Sequence, residues 1–275
     1  MPYEVVSVLK KILRHVRLPI RRGPNAGRWW SVSTGSRYLR GDFVKGKASC
    51  LERLICPGET VWDIGAHRGF TVLVESRVVG PTGRVFAFEP NPDSRGLLEL
   101  HLKWNAVTNA KVFPYAMGRQ DGEMSFGWAR DPSQTTLPAL EKRASTLACH
   151  LGGEGHTVQV RHVDGLIAAG AAPAPTLMKI DVEGAELDVL DGAAALLLRE
   201  PQLALVLATH TPALHDACCA RLRRDGFEIV EAANVTTAKR EGWAAVGDAD
   251  VLAFRPARGV SAEVRAAFAA IDLHG

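Results

Sequence analysis

Apolar residues in this chain never run on for the roughly 18 positions that a membrane-spanning helix requires, so no spanning helix is expected. The first apolar stretch, VVSVLKKILRHVRL, is broken by Lys10, Lys11, Arg14 and Arg17. A secretory leader needs an unbroken apolar centre, so none is expected and a cytoplasmic location is. Cysteine is scarce, at five residues. Cys50, Cys56, Cys149 and the adjacent Cys218 and Cys219 match no zinc spacing and no CxxC motif, which leaves buried or idle thiols. Internal repeats are absent, and AAGAAPAPT is the one low-complexity tract, read as a loop. Acids are nearly missing from residues 1–47, where Glu4 and Asp42 face eleven Lys and Arg. Since the whole chain carries only +3, the remainder is acidic, and a basic N-terminal face stands beside an ordinary catalytic body.

What is present is a core. Of 275 residues, 47% are hydrophobic, enough for one large α/β domain. Val5, Val8, Leu9, Ile12, Leu13 and Val16 repeat at helical spacing, and Pro19 ends that helix. RRGPNAGRWWSVSTGSRYLRGDF reads as turns with short strands. Strand–helix alternation then begins. TVWDI is a strand before the helix RGFTVLVESRVV, and GRVFAFEP is a strand before the helix PDSRGLLELHLKWNAV. AKVFPYAM reads as one strand, and TLMKI leads into a helix that presents Leu187, Leu190, Ala194 and Leu197 on one face. LALVLATH, FEIVEA and ADVLAFRP complete the strand set. Continuously apolar strands between helices imply a mostly parallel sheet covered on both faces. GEMSFGW and TVQVRHV read as short strands flanking the polar stretch Ala129–His156, long enough to suggest a functional or mobile connection.

Ligands of open parallel sheets bind at the carboxyl ends of strands. Asp63, Glu89, Asp181 and His210 each end an otherwise apolar run there. Glu89, one strand after the glycine turn Gly65–Gly69, is placed to accept hydrogen bonds from ribose hydroxyls. The turn lacks GxGxxG, which disfavours a dinucleotide, and an acid before it would repel phosphate. A ligand with adenosine at one end and a free ammonium at the other fits, and S-adenosylmethionine is such a molecule. Asp63 would then help hold the ammonium, directly or through backbone and water, while Gly65 lets the backbone approach. The competing reading makes Asp63 a cap for the helix near Arg68.

VWDIGAHRGF, VFAFEPNP and LMKIDVEGAELDVLDGA, in that order and spacing, resemble the FkbM-type family of S-adenosylmethionine-dependent methyltransferases, over residues 40–255 or so. YLRGDF is similar to the family's entry segment. The resemblance implies a Rossmann-like, seven-stranded sheet whose last strand is antiparallel, with helices on both faces. It also implies O-methylation of sugars, natural products or related small molecules. By motif, Asp63, Gly65, Ala66 and Gly69 would line the methionine end, Glu89 would take the ribose with Pro90 and Asn91 beside it, and Asp181 and Glu183 would border the methyl-transfer site. His67 departs from the family, which usually has Asn there.

A carboxylate at Asp181 could orient an acceptor hydroxyl, take its proton, or help bind a divalent metal such as Mg²⁺ or Mn²⁺. Glu183 shares that setting but could equally cap the next helix. His210 is the candidate general base, with His150 and His156 as weaker substrate contacts. Three roles suit the basic N-terminus: a nucleic-acid clamp using Trp29, Trp30 and Tyr38, an interfacial helix, or a lid over the site, which is preferred. The expected layout is a lid over 1–47, a methyltransferase domain over 48–258 and a helical tail over 259–275. The expected partner is a small-molecule acceptor, with a homodimer left open. N-methylation, a nucleic-acid substrate or a non-catalytic adenosyl-ligand-binding protein are the alternatives.

Overall fold

A computed structural model describes residues 12–43, 45–126, 156–243 and 248–272. Most of the helix expected over Val5–Val16, and the polar stretch containing Cys149 and His150, lie outside the described residues; so does the side chain of His156.

Two short strands, β1 (Arg17–Pro19) and β2 (Trp29–Ser31), pair antiparallel near the start. Helices α1 (Ser36–Arg40) and α2 (Lys45–Leu54) lead to strand β3 (Thr60–Ile64). Then follow α3 (Phe70–Val79), β4 (Arg84–Phe88), α4 (Pro92–Trp104), β5 (Ala110–Phe113), β6 (Ala116–Met117) and β7 (Gly122–Phe126). The second half contains β8 (His156–Arg161), α5 (Val163–Ala168), β9 (Leu177–Ile180), α6 (Glu186–Gly192), α7 (Ala194–Arg199), β10 (Ala204–Thr209) and α8 (Pro212–Arg224). Strand β11 (Glu228–Glu231), α9 (Ala233–Glu241), β12 (Ala249–Phe254) and α10 (Ala262–Ala269) end the described chain.

Seven strands form the main sheet in the order β11-β12-β10-β9-β3-β4-β5. From β10 to β5 all neighbours are parallel, and β12 runs antiparallel to both β10 and β11. Strand order reverses at β3, whose partners are β4 and β9, and this opens a crevice at the carboxyl ends. Alternation along each strand builds two cores. Val61, Leu177, Val206 and Leu252 face α3 on one side, while Trp62, Met178, Leu205 and Val251 face α6 and α8 on the other. Asp63 and Lys179, two residues on from Val61 and Leu177, therefore point toward α3.

Two expected elements divide. AKVFPYAM breaks at Pro114, which has no N–H to give a ladder. Residues before it join the main sheet as β5, and β6 instead joins a three-stranded sheet of order β6-β8-β7. The helix after TLMKI also breaks, at Ala193. The Asp164 carboxylate accepts the N–H groups of Ala195 (2.7 Å) and Leu196 (3.0 Å), so it starts α7 as a fresh helix. Helix α9 was not foreseen. The boundary expected between residues 47 and 48 falls inside α2.

The N-terminal segment is stapled to the sheet by aromatic rings. Trp30 is fully buried and stacks on His101 at 3.6 Å between centroids, while Tyr38 stacks on the other side at 5.2 Å. Both rings are thus spent on packing, which removes them from a nucleic-acid clamp; Trp29 stays 40% exposed. His101 Nδ1 donates to the Arg68 carbonyl (2.8 Å), and its Nε2 accepts the Ser31 N–H (3.1 Å). That pairing requires neutral imidazole, and burial pushes its pKa down to about 4. In an unfolded chain the group titrates near 6.5, so its contribution is complete above that pH and is lost as the pH falls toward 4. The gap corresponds to about 3 kcal/mol at most. Melting curves between pH 7 and 4.5 should show this acid-side loss, and His101→Gln, which can replace both hydrogen bonds, should flatten it. Identical slopes in the two proteins would assign the acid sensitivity elsewhere.

Candidate active site

The carboxyl ends of β3, β4, β9 and β10 bring Asp63, Glu89, Asp181 and His210 to one edge of the sheet. Asp63 has no solvent exposure. Its Oδ1 pairs with Lys179 Nζ at 2.9 Å, and its Oδ2 accepts the Thr71 hydroxyl at 2.5 Å. The expected direct grip on an ammonium therefore meets a carboxylate already engaged at both oxygens. An indirect route exists, because Lys179 Nζ also donates to the Gly65 carbonyl (3.0 Å) and so ties Asp63 to the turn. Behind the pair lies Glu75, fully buried, whose carboxyl is pushed well up by burial and by the charge of Asp63.

Gly65 has φ 81°, and a Cβ on it would lie 1.8 Å from the Asp181 carbonyl oxygen. The glycine is thus demanded by the neighbouring strand end, apart from any ligand. Gly69, at φ 82°, closes the turn and caps α3; a Cβ there would meet Leu98 at 2.9 Å. Ala66 is buried, and its N–H and that of Gly65 both donate to the Phe88 carbonyl. His67, the unusual residue of the turn, adopts φ 50° with Nδ1 3.4 Å from the Tyr38 hydroxyl.

Glu89 binds the turn from β4. Its Oε2 accepts the His67 N–H (2.7 Å) and its Oε1 the Asn91 N–H (2.8 Å). Each oxygen keeps a lone pair for a hydroxyl. Asn91 is occupied otherwise: its side-chain oxygen caps α4 by accepting from Asp93 (2.8 Å) and Ser94 (3.1 Å). The Pro90 carbonyl receives Arg95 at 2.9 Å.

Asp181 faces cations on both sides. Lys47 Nζ stands 3.6 Å and Lys179 Nζ 3.8 Å from its Oδ2, with His210 Nε2 3.7 Å from its Oδ1. Burial opposes ionisation, but the charges of Lys47, Lys179 and His210 hold the carboxyl well below its usual range. Lys47 is itself buried and pairs with Asp250 (2.8 Å) and Asp248 (3.0 Å). Neither lysine was singled out from sequence. Lys179 carried a signal, a single cation within the wholly buried strand LMKI, whereas Lys47 stood in an unremarkable basic run.

His210 is surrounded by carboxylates. Its Nδ1 donates to Glu186 Oε1 at 2.9 Å, and its Nε2 lies 3.4 Å from Glu183 Oε2. Burial disfavours the cation, yet the bond to Glu186 and the charges of Glu186, Asp181 and Glu183 raise its pKa to about 9. As it stands the ring is protonated at neutral pH, the opposite of a free general base. Glu183 takes φ 56°, a left-handed conformation that bulky residues avoid.

Several features fit S-adenosylmethionine: spare lone pairs on Glu89, a turn without a phosphate cradle, and ionised Asp181 at the adjacent strand end. A seven-stranded, mostly parallel sheet with one antiparallel strand inserted beside its edge is that of the Rossmann-like S-adenosylmethionine-dependent methyltransferases. Residues 63–229 match the model of the methyltransferase FkbM domain, more than half of the chain, and the chain belongs to that family. It is similar to hexuronic acid methyltransferase AglP of Haloferax volcanii, 30% identical over 135 residues that make up 49% of each chain. It is also similar to Methyltransferase 1 of Beauveria bassiana, 29% identical over 141 residues, 47% of this chain and 56% of that one. The matches thus span only about half the length of these relatives. Among solved structures, an S-adenosylmethionine-dependent O-methyltransferase of Thermotoga maritima has a TM-score of 0.44 at 13% identity, covering 76% of this chain and 64% of that one. No helix among the described residues is long and apolar enough to cross a membrane.

Proposed function

We propose that the protein transfers the methyl group of S-adenosylmethionine to a hydroxyl of a small polar molecule, a sugar or a natural product. The observation that carries this reading is the convergence of Glu89, Asp181 and His210 on one edge of the sheet, beside a turn that lacks the GxGxxG pattern of a dinucleotide site. Similarity to a hexuronic acid methyltransferase supports a sugar-like acceptor. Glu89 would hold the ribose. The Asp63–Lys179 pair would shape the Gly65 turn around the methionine end. Asp181 and His210 would face the acceptor oxygen. In the reaction that oxygen forms a bond to the methyl carbon, the carbon–sulfur bond breaks with its electron pair kept by sulfur, and the hydroxyl proton is released to solvent. Because the attack must be in line, positioning supplies much of the rate. We take the N-terminal segment as a lid, since Tyr38 reaches His67 and Lys47 reaches Asp181.

Ligand-dependent melting tests the cofactor. A hundredfold excess over Kd adds about 2.7 kcal/mol of stability, so S-adenosylmethionine and S-adenosylhomocysteine should raise Tm, while NAD and ATP should not. Glu89→Ala should weaken S-adenosylmethionine binding about ten- to a hundredfold, the value of hydrogen bonds to a charged partner. A Tm rise with NAD alone would overturn the reading, and unchanged affinity in the variant would place the ribose elsewhere.

A further inference from the structure

Three side chains at the ends of β9 and β10 each offer one ligating atom to a common point. Those atoms, from Asp181, Glu183 and His210, all lie within 4.8 Å of one another. His210 Nε2 is 3.4 Å from Glu183 Oε2 and 3.7 Å from Asp181 Oδ1, at or beyond the limit of useful hydrogen bonding. The spacing has another reading. Around a cation with bonds of about 2.0–2.2 Å, neighbouring ligand atoms sit roughly 3.0–3.5 Å apart. A few tenths of an ångström of side-chain rotation would bring Asp181 into that range.

The ring is aimed by its other nitrogen. Glu186 is fully buried, and its Oε1 also receives the backbone N–H groups of Gly184 (3.1 Å) and Val182 (3.3 Å). A carboxylate so fixed can only accept, so Nδ1 keeps its hydrogen and Nε2 is the atom presented to the carboxylates. A carboxylate that orients the far nitrogen of an imidazole is the common support of a metal-binding histidine. The left-handed backbone of Glu183 (φ 56°) adds a second sign, since such strain persists where the surrounding structure enforces it and clusters at ligand clamps.

We propose that Asp181 Oδ1, Glu183 Oε2 and His210 Nε2 form a binding site for one divalent cation, with Glu186 as the positioning residue. One imidazole and two carboxylates suit Mn²⁺ or Zn²⁺ better than Mg²⁺ or Ca²⁺, which prefer oxygen alone. The inference rests on the methyl-transfer reading for its purpose: a cation there would polarise the acceptor hydroxyl and ease release of its proton to solvent.

A second cluster, His215, Cys219 and Glu231, provides an internal control. Its acid is already bound by Lys239 at 2.9 Å, and burial pushes the Cys219 thiol up to about 11. The full chain, stripped by chelator and titrated with Mn²⁺ under calorimetry, should take up one ion. His210→Asn and Glu183→Gln should each weaken uptake tenfold or more, by analogy with the roughly 10–100-fold cost of disturbing even the outer partners of a metal ligand. Cys219→Ser should leave it unchanged. Glu183 is largely exposed, so its variant should fold even if another does not. S-adenosylmethionine binding, measured in the same cell, should be retained in these variants. No uptake at millimolar Mn²⁺, uptake equal to wild type in both ligand variants, or loss only in Cys219→Ser would each overturn the site. In those cases continued S-adenosylmethionine binding would leave the methyltransferase reading standing; loss of both ligands would remove both.

Discussion

Lys179→Met is expected to lower folding stability by about 3–5 kcal/mol, the usual cost of leaving one member of a buried ion pair without its partner. Asp63 has no exposure through which water could replace the lysine, and Thr71 alone cannot neutralise it. Glu75, fully buried beside Asp63 and itself an acid, offers that charge no relief. Urea unfolding of the purified chain measures the loss directly. Adding Asp63→Asn to Lys179→Met should recover much of it, because the stranded charge is then gone. A loss below about 1 kcal/mol would show that water reaches Asp63 in solution, since only an exposed pair is worth so little.

The chemical step should be equally sensitive at His210. With an acceptor that the wild type methylates, His210→Ala should reduce kcat about 10²–10⁴-fold, the range for a placed acid–base group. Affinity for S-adenosylmethionine should change little, because the Gly65 turn and Glu89 lie two and three strands away, at the ends of β3 and β4. Asp181→Asn should fall in the same class, although Lys47 and Lys179 would lose a shared anion and some stability with it. Turnover that survives both substitutions would move the chemistry away from the ends of β9 and β10. Whether His210 acts through a proton or as a cation ligand is decided by the Mn²⁺ titration, not by the size of this loss.

The sheet was legible because its strands are buried on both faces. TVWDI and ADVLAF are largely apolar runs of the kind a sheet covered on both faces produces, and both appear as strands, β3 and β12. Strand-end acids were legible for the same reason, each being a polar break in an apolar run. What escaped were contacts made across long stretches of chain. Nothing near Asp63 says that its charge is met by Lys179, 116 positions later. Nor does the basic run around Lys47 reveal that this lysine is buried against Asp250. Gly65 was noticed for a sound reason, its turn, but the close approach it permits is to the Asp181 carbonyl. His210 was found by position, but its three carboxylate neighbours, Asp181 and Glu183 from the β9–α6 connection and Glu186 at the start of α6, could not be read from the residues around it.

The place of β12 bears on how the molecule is made. It is the last strand of the sheet to leave the ribosome, yet it lies between β10 and β11. Among the described residues strand β11 pairs with β12 alone, so after its synthesis it must wait, edge unpaired, until β12 is threaded between the two. Lys47 waits longer, for Asp248 and Asp250 sit at the very start of that strand, some 200 residues downstream. Contacts of such separation are slow to form, because loop closure precedes any reward. A nascent chain therefore carries an open sheet edge until β12 emerges, and Lys47 lacks these anions over some 200 residues of synthesis. The charge cluster of Lys47, Asp181, Asp248 and Asp250 can be completed only when β12 inserts, and an unpaired sheet edge before that step is the kind of surface that favours aggregation.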